Sequence, residues 1–174
     1  MNYFHEKIRY FAPEDTNLLL KKANIQKEIS SVYNSDINTL RNEFGFESDW
    51  FIFFCPQSVF KMHPLFDHVF NDILRVTHDL NLNAHIVITG GRKQRWTDIY
   101  VNRLNRAIDP DLMFKFHLIP RVSAENFLSL VKIADVLLHP FPFDGSRTSA
   151  DGLSVGVPFL TLPSEYLRGR MVKY

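Results

Sequence analysis

The chain has 174 residues, 45% of them hydrophobic, enough for one packed domain and an appendage. With 22% charged residues and a net charge of +1, no basic excess points to nucleic acid and no acidic run to a chaperone-like surface. The single cysteine, Cys55, excludes an internal disulfide; no stretch reads as a secretory signal or a membrane span, so the expected location is cytoplasmic or nuclear.

Residues 1–48 read as a helical or irregular extension without a site. Leu18–Tyr33 is a weakly amphipathic helix candidate, and Ser35–Asp49 reads as polar punctuation around Gly45. From Trp50 onward the pattern changes, and 49–174 is expected to be one Rossmann-like domain. Trp50–Cys55 is a continuous apolar run, as a strand buried on both faces requires, and Pro56 ends it. Cys55 closes that run and reads as a packed thiol rather than a nucleophile. Leu65, Phe66, Val69, Phe70, Ile73 and Leu74 then recur at helical spacing behind Pro64. Ala84–Gly90 is the second strand. Trp96, Ile99, Tyr100, Leu104, Ala107 and Ile108 mark a second helix, with Trp96 assigned to the core. After the turn at Asp109–Asp111 come a third strand, Met113–Ile119, and a third helix through Phe127, Leu128, Leu130, Val131 and Ile133. Asp135–His139 is the fourth strand, Ser149–Gly156 lies in a helix opening at Thr148, and Phe159–Leu162 is the fifth strand. A last helix begins near Tyr166 and is cut short at Tyr174.

Strict alternation of strands with helix-length connections predicts an α/β, doubly wound parallel sheet. Ligands of such sheets sit beyond the carboxyl ends of the strands. Five loops therefore matter: 56–64, 90–94, 120–124, 140–148 and 163–170. With Arg95 one residue past the second, they gather Lys61, His63, Arg92, Lys93, Arg121, Arg147, Arg168 and Arg170, which on a near-neutral chain points to an anion. The fourth loop is the most informative. It carries Gly145, Ser146, Arg147 and Thr148 into a helix start, where free N–H groups and the helix dipole attract phosphate. That reading predicts a nucleotide or nucleotide-sugar site. Thr148 also reads as a helix cap and Asp151 as a first-turn acid. No G-x-G-x-x-G follows the first strand and no G-x-S-x-G exists, which argues against a dehydrogenase and a hydrolase. His63, His117 and His139 lack metal-ligand spacing, and no metal is expected.

The segments CPQSVFKMHPLFDHVFNDIL, HIVITGG and FLSLVKIADVLLHPFPFDGSRTSADGLSVGVPFLTLPSEYLRGRM resemble the C-terminal catalytic half of the O-linked N-acetylglucosamine transferase / SPINDLY group of two-Rossmann-domain (GT-B) glycosyltransferases. The resemblance covers about residues 50–174. It implies an inverting, metal-independent enzyme without a cofactor, transferring N-acetylglucosamine from UDP-N-acetylglucosamine to Ser or Thr of an acceptor protein. The family motif Q-x-x-F/Y-K-x-x-P falls on Gln57, Phe60, Lys61 and Pro64, so Lys61 would neutralise the leaving diphosphate. The phosphate loop falls on Asp144, Gly145, Thr148 and Asp151. Gly145, Ser146, Arg147 and Thr148 would cradle the diphosphate, and Asp151 would hold the ribose. Ser58, His63, Arg121, Val122 and Ala124 are further expected donor contacts.

Animal members have His where this chain has Ser146 and Thr where it has Arg147; their base-flanking lysine and histidine align with Ala124 and Phe127. Uracil and guanine therefore both stay open, as do GDP-fucose and UDP-glucose as donors. The resemblance also implies a preceding Rossmann domain and tetratricopeptide-repeat region as partners, supplying the acceptor side and the general base. A non-catalytic nucleotide-binding scaffold and a carbohydrate-polymer glycosyltransferase are the other readings.

Overall fold

The computed structural model describes residues 32, 34–143, 145, 147–162 and 165. The apolar run after Trp50 forms β1 (Phe51–Cys55), which lies at the centre of a five-stranded sheet. The other strands are β2 (Ala84–Thr89), β3 (Phe116–Ile119), β4 (Val136–Leu138) and β5 (Phe159–Leu160). Their order is β3-β2-β1-β4-β5 and every pairing is parallel, so the expected doubly wound α/β sheet is present. The order reverses between β1 and β4. Loops leaving those two strands diverge and open a crevice at the carboxyl edge.

The helices are α1 (Ile37–Glu43), α2 (Pro64–Asp79), α3 (Gln94–Ala107), α4 (Ala124–Ile133) and α5 (Arg147–Ser154). Alternating strand side chains divide the core in two. Ile52, Phe54, Val87 and Leu137 face α4 and the N-terminal segment, with Leu40, Phe46, Leu128, Leu130 and Val131 around them. Cys55, Ile86, Ile88 and Leu138 face the other way, against Phe66, Phe70 and Leu74 of α2 and Tyr100 and Leu104 of α3. The buried side of each of these helices therefore packs against one sheet face.

Several elements differ from the sequence reading. The stretch taken as polar punctuation contains α1: Asp36 caps it, accepting from the Thr39 N–H at 2.9 Å, and Leu40 anchors it in the core. The helix candidate Leu18–Tyr33 lies, apart from Val32, outside the described residues. Met113–Lys115 is not strand but part of a 3-10 turn, Pro110–Lys115. Asp109 starts that turn by accepting from the Asp111 N–H at 3.1 Å, and Pro110 follows as its first residue. α5 opens at Arg147, one residue early, and β5 stops at Leu160. The segment beyond Glu165, including the last predicted helix, lies outside the described residues.

The segment ahead of residue 49 is bonded to the sheet through Arg41. Arg41, 7% exposed, donates through Nη1 to the carbonyls of Ser48 (2.9 Å) and Trp50 (3.0 Å). Its Nη2 reaches the Ile133 carbonyl (3.2 Å) and the Asp135 carboxylate (3.1 Å). Asp135 in turn accepts from the Ile52 N–H of β1 at 2.7 Å. A residue of the N-terminal segment thus closes the seam between β1 and the α4–β4 turn.

Candidate functional site

The residues that follow the strands converge on one cavity of about 650 Å³ at the carboxyl edge. Ser58 and Phe60 reach it from the loop after β1. Thr89, Gly90, Gly91 and Arg92 come from the end of β2, and Trp96 from the first turn of α3. Arg121, Val122, Ser123 and Ala124 form the β3–α4 wall with Phe127 and Leu128. Arg147, Thr148 and Asp151 come from α5. Of the expected site residues, Ser58, Arg121, Val122, Ala124, Arg147, Thr148 and Asp151 therefore share one space.

The first wall is pinned from behind. Val59–Lys61 form a 3-10 turn, and His63 caps α2, its Nδ1 accepting from the Leu65 N–H at 3.2 Å. Arg103 of α3 grips the buried Asp67 carboxylate at 2.6 and 3.0 Å and the Met62 carbonyl at 2.9 Å. Burial raises the Asp67 pKa against the pull of Arg103. The bidentate pair fixes where the β1 loop ends.

The link across the crevice is Gln57, only 3% exposed. Its Nε2 donates to Thr148 Oγ1 at 2.8 Å, and its Oε1 accepts from Lys61 Nζ at 3.2 Å. Lys61 is half-buried, with Nζ 4.7 Å from the centroid of the Phe143 ring. Lys61 is not one of the cavity-lining side chains; it is tied to the cavity through Gln57 and Thr148. Gly145 sits under this link. A Cβ there would collide with Thr148 Oγ1 and Gln57 Nε2, so the chain passes only because the residue has no side chain. Gly152 plays the same part below: a Cβ would strike Leu137 Cδ1, so its absence lets α5 settle against β4. The first N–H groups of a helix have no partner one turn earlier, and α5 begins at this cavity with Arg147 and Thr148. Ser146 and Asp144 lie outside the described residues, as do Arg168 and Arg170.

Asp151 lines the cavity at 6% exposure, and among the described residues nothing donates a hydrogen bond to its carboxylate. Burial raises its pKa, and the Arg147 charge opposes the shift. A desolvated carboxylate facing a cavity suits ligand hydroxyls. His63, an expected donor contact, is spent on the α2 cap and is not a lining residue.

Trp96 corrects the sequence reading. It is 39% exposed and faces the cavity rather than the core. Its place on an apolar helical stripe was misleading; its place in the first turn of a helix at the carboxyl edge was the available signal. Gln57 was visible only as a motif letter, and its bridging role needs Thr148, distant in sequence.

The remaining candidates sit elsewhere. His85 and His117, at the amino ends of β2 and β3, bond to each other (Nδ1 to Nε2, 2.8 Å), and His85 Nε2 lies 3.0 Å from Asn83 Oδ1. Asn83 Nδ2 donates to Asp49 at 2.8 Å, which fixes the amide. His85 therefore donates through Nε2, and His117 donates to His85. The Trp50 ring stacks on His85 at 3.7 Å. His139 stacks on Phe159 at 4.9 Å. Cys55 is buried and its thiol pKa is pushed up, as a packed thiol requires. Among the described residues no group of three or more His, Cys, Asp or Glu is placed to hold a metal, and no helix is long and apolar enough to cross a membrane.

The chain matches no family model and no curated protein. Among solved structures it is similar to a mutant O-GlcNAc transferase from Thermobaculum terrenum, with a TM-score of 0.59 and 19% identity over 70% of this chain and 22% of that one. It is similar to a UDP-forming trehalose-phosphate synthase from Burkholderia xenovorans, with a TM-score of 0.52 and 11% identity over 76% of this chain and 32% of that one. The E. coli trehalose-6-phosphate structure bound with UDP-2-fluoro glucose gives a TM-score of 0.50 and 14% identity over 74% of this chain and 32% of that one. This chain thus spans less than a third of the length of each of these proteins. What they share with it is the fold: a parallel, Rossmann-like α/β sheet of the kind found in GT-B glycosyltransferases.

Proposed function

We propose that this chain is the donor-binding domain of a nucleotide-sugar-dependent glycosyltransferase. Specifically, it would serve an inverting transfer of N-acetylglucosamine from UDP-N-acetylglucosamine to Ser or Thr of an acceptor protein. The observation that carries the reading is the Lys61–Gln57–Thr148 link beside the desolvated Asp151 carboxylate, all at the sheet's switch point. Asp151 takes the ribose hydroxyls. Thr148, Arg147, Gly145 and the N–H groups of α5 take the diphosphate, with Ser146 completing the loop. In the reaction the acceptor oxygen bonds to the anomeric carbon as the bond to the β-phosphate oxygen breaks. The electron pair leaves with the phosphate, where Lys61 and the helix N-terminus meet the growing charge in place of a metal. The base that takes the hydroxyl proton belongs to the acceptor side, a preceding Rossmann domain with tetratricopeptide repeats. GDP-fucose and UDP-glucose are the other donors this site suits.

A second reading, a nucleotide-binding module without turnover, is favoured by one observation: the Lys61 amine is held by Gln57 over Phe143 and does not line the cavity.

Isothermal titration with UDP and GDP, on the wild type and on Lys61→Ala and Asp151→Ala, tests the donor reading. Saturable binding of one nucleotide, weakened by Asp151→Ala, supports it and names the base. Failure of a folded chain to bind either at millimolar concentration overturns it. Binding indifferent to Lys61→Ala favours the module without turnover.

A further inference from the structure

One end of the cavity is aromatic and lies apart from Asp151 and the start of α5, the groups proposed for the ribose and the diphosphate. Phe60 is 69% exposed, and its ring lies edge-on to Trp96, centroids 6.1 Å apart at 69°. Lys93 Nζ stands 5.4 Å from the centroid of the Trp96 ring. Both rings also wall a smaller hollow with Val59, Met62, Ile99, Tyr100 and Arg103, the last held on Asp67 and the Met62 carbonyl, so the corner is backed mainly by apolar side chains. Two large aromatic rings held against each other at the mouth of a cavity form a preorganised ligand surface.

The fold fixes where this corner stands. Ala124, Phe127 and Leu128 belong to α4, and Arg147, Thr148 and Asp151 to α5; α4 packs on one face of the sheet, with α5 beside it. Phe60 and Trp96 come from the loop before α2 and from the start of α3, which pack on the other face. The Gln57–Thr148 bond crosses between the two sides. A nucleotide with its ribose on Asp151 and its diphosphate at the start of α5 has reached that crossing. Whatever the diphosphate carries continues toward the aromatic side.

We infer that Phe60 and Trp96 form the subsite for the uncharged hexose of the donor, with Trp96 as a specificity-determining residue; this rests on the donor reading above. The C–H face of a pyranose packs flat on an indole, which rewards burial without requiring charge. The hydroxyl edge meets Ser58, whose side chain makes no capping bond, and Arg92. The Gly91 N–H is already donated to Thr97 Oγ1 at 2.9 Å and is not offered to the sugar.

The test compares bare and sugar-bearing nucleotides: UDP with UDP-N-acetylglucosamine, and GDP with GDP-fucose, by titration calorimetry. In the wild type the sugar nucleotide of the preferred base is expected to bind about 3- to 10-fold tighter than its bare diphosphate. Trp96→Ala should abolish that difference and leave the bare diphosphate unchanged, with thermal denaturation confirming the fold. The chain has two tryptophans, Trp50 and Trp96, which gives a second readout. Sugar nucleotide should change the intrinsic fluorescence of the wild type beyond the change caused by the bare diphosphate, and Trp96→Phe should lose that excess while keeping affinity.

Equal weakening of both ligands by Trp96→Ala, or no sugar-dependent gain in the wild type, overturns the subsite and leaves the nucleotide reading standing. Absence of binding by all four ligands overturns the nucleotide reading and this inference with it.

Discussion

Gln57 Nε2 and Thr148 Oγ1, 2.8 Å apart, join the loop after β1 to the first turn of α5 across the point where the strand order reverses. The same amide holds Lys61 through its oxygen. One buried side chain therefore sets both the cation and the hydroxyl of the candidate phosphate site.

Gln57→Ala removes both bonds and leaves a void beside Gly145. The expected loss is about 1–3 kcal/mol of stability, read by denaturant unfolding. Nucleotide affinity should also fall, and Gln57→Glu should retain the Lys61 contact and recover part of it.

Gly145→Ala places a methyl group against Thr148 and Gln57. Overpacking of this kind costs about 1–3 kcal/mol. The substitution should also abolish nucleotide binding in calorimetry. Undiminished binding by Gly145→Ala would show that the link is not part of the site.

Asp151 should reveal opposite effects on fold and function. Burial raises its folded pKa, so in the interval between the unfolded and folded values the folded state keeps a proton that the unfolded state has released. Stability from this group is present below its unfolded value and is lost as pH rises through the folded one. At neutral pH the charged, desolvated carboxylate is a cost, and Asp151→Asn should stabilise the free chain by about 1 kcal/mol. The same variant should weaken nucleotide binding about 10- to 100-fold, since a charge-assisted bond to ribose is lost.

The histidine pair at the amino edge should make the fold sensitive to acid. Burial first, then the neighbouring His117 and Lys115 charges, lower the His85 pKa to about 4, against the pull of Asp49. Burial lowers His117 as well. The unfolded state then binds more protons than the folded one, so stability falls as pH drops from about 6.5 toward 4. Protonating His85 at Nδ1 also breaks the bond it accepts from His117. His85→Gln should flatten the stability profile in that window, measured by thermal unfolding against pH.

The sheet was legible because its strands are short apolar runs and its helices carry clear stripes: Phe51–Cys55, Ala84–Thr89 and the Phe66–Leu74 stripe all follow from local pattern. Met113–Lys115 misled because apolar residues before a strand look like strand, while the Asp109–Pro110 start favours a tight turn. The loops that carry the site could be placed at the carboxyl edge from topology alone. What no local pattern holds is which loop residues meet. Gln57 meets Thr148 through a contact 91 residues apart in sequence, and Trp96 faces outward although its spacing matches buried neighbours.

The Arg41 contacts bear on how this domain is divided. A cassette starting at Asp49 would contain all five described strands and every candidate ligand group. It would also strand the Asp135 carboxylate and the carbonyls of Trp50 and Ile133 without the guanidinium they share. Exchanging or excising this fold as a module therefore keeps these bonds only if it carries the short helix ahead of the sheet, together with Val32, which is buried in the same core and whose carbonyl accepts from Lys132 at 2.8 Å.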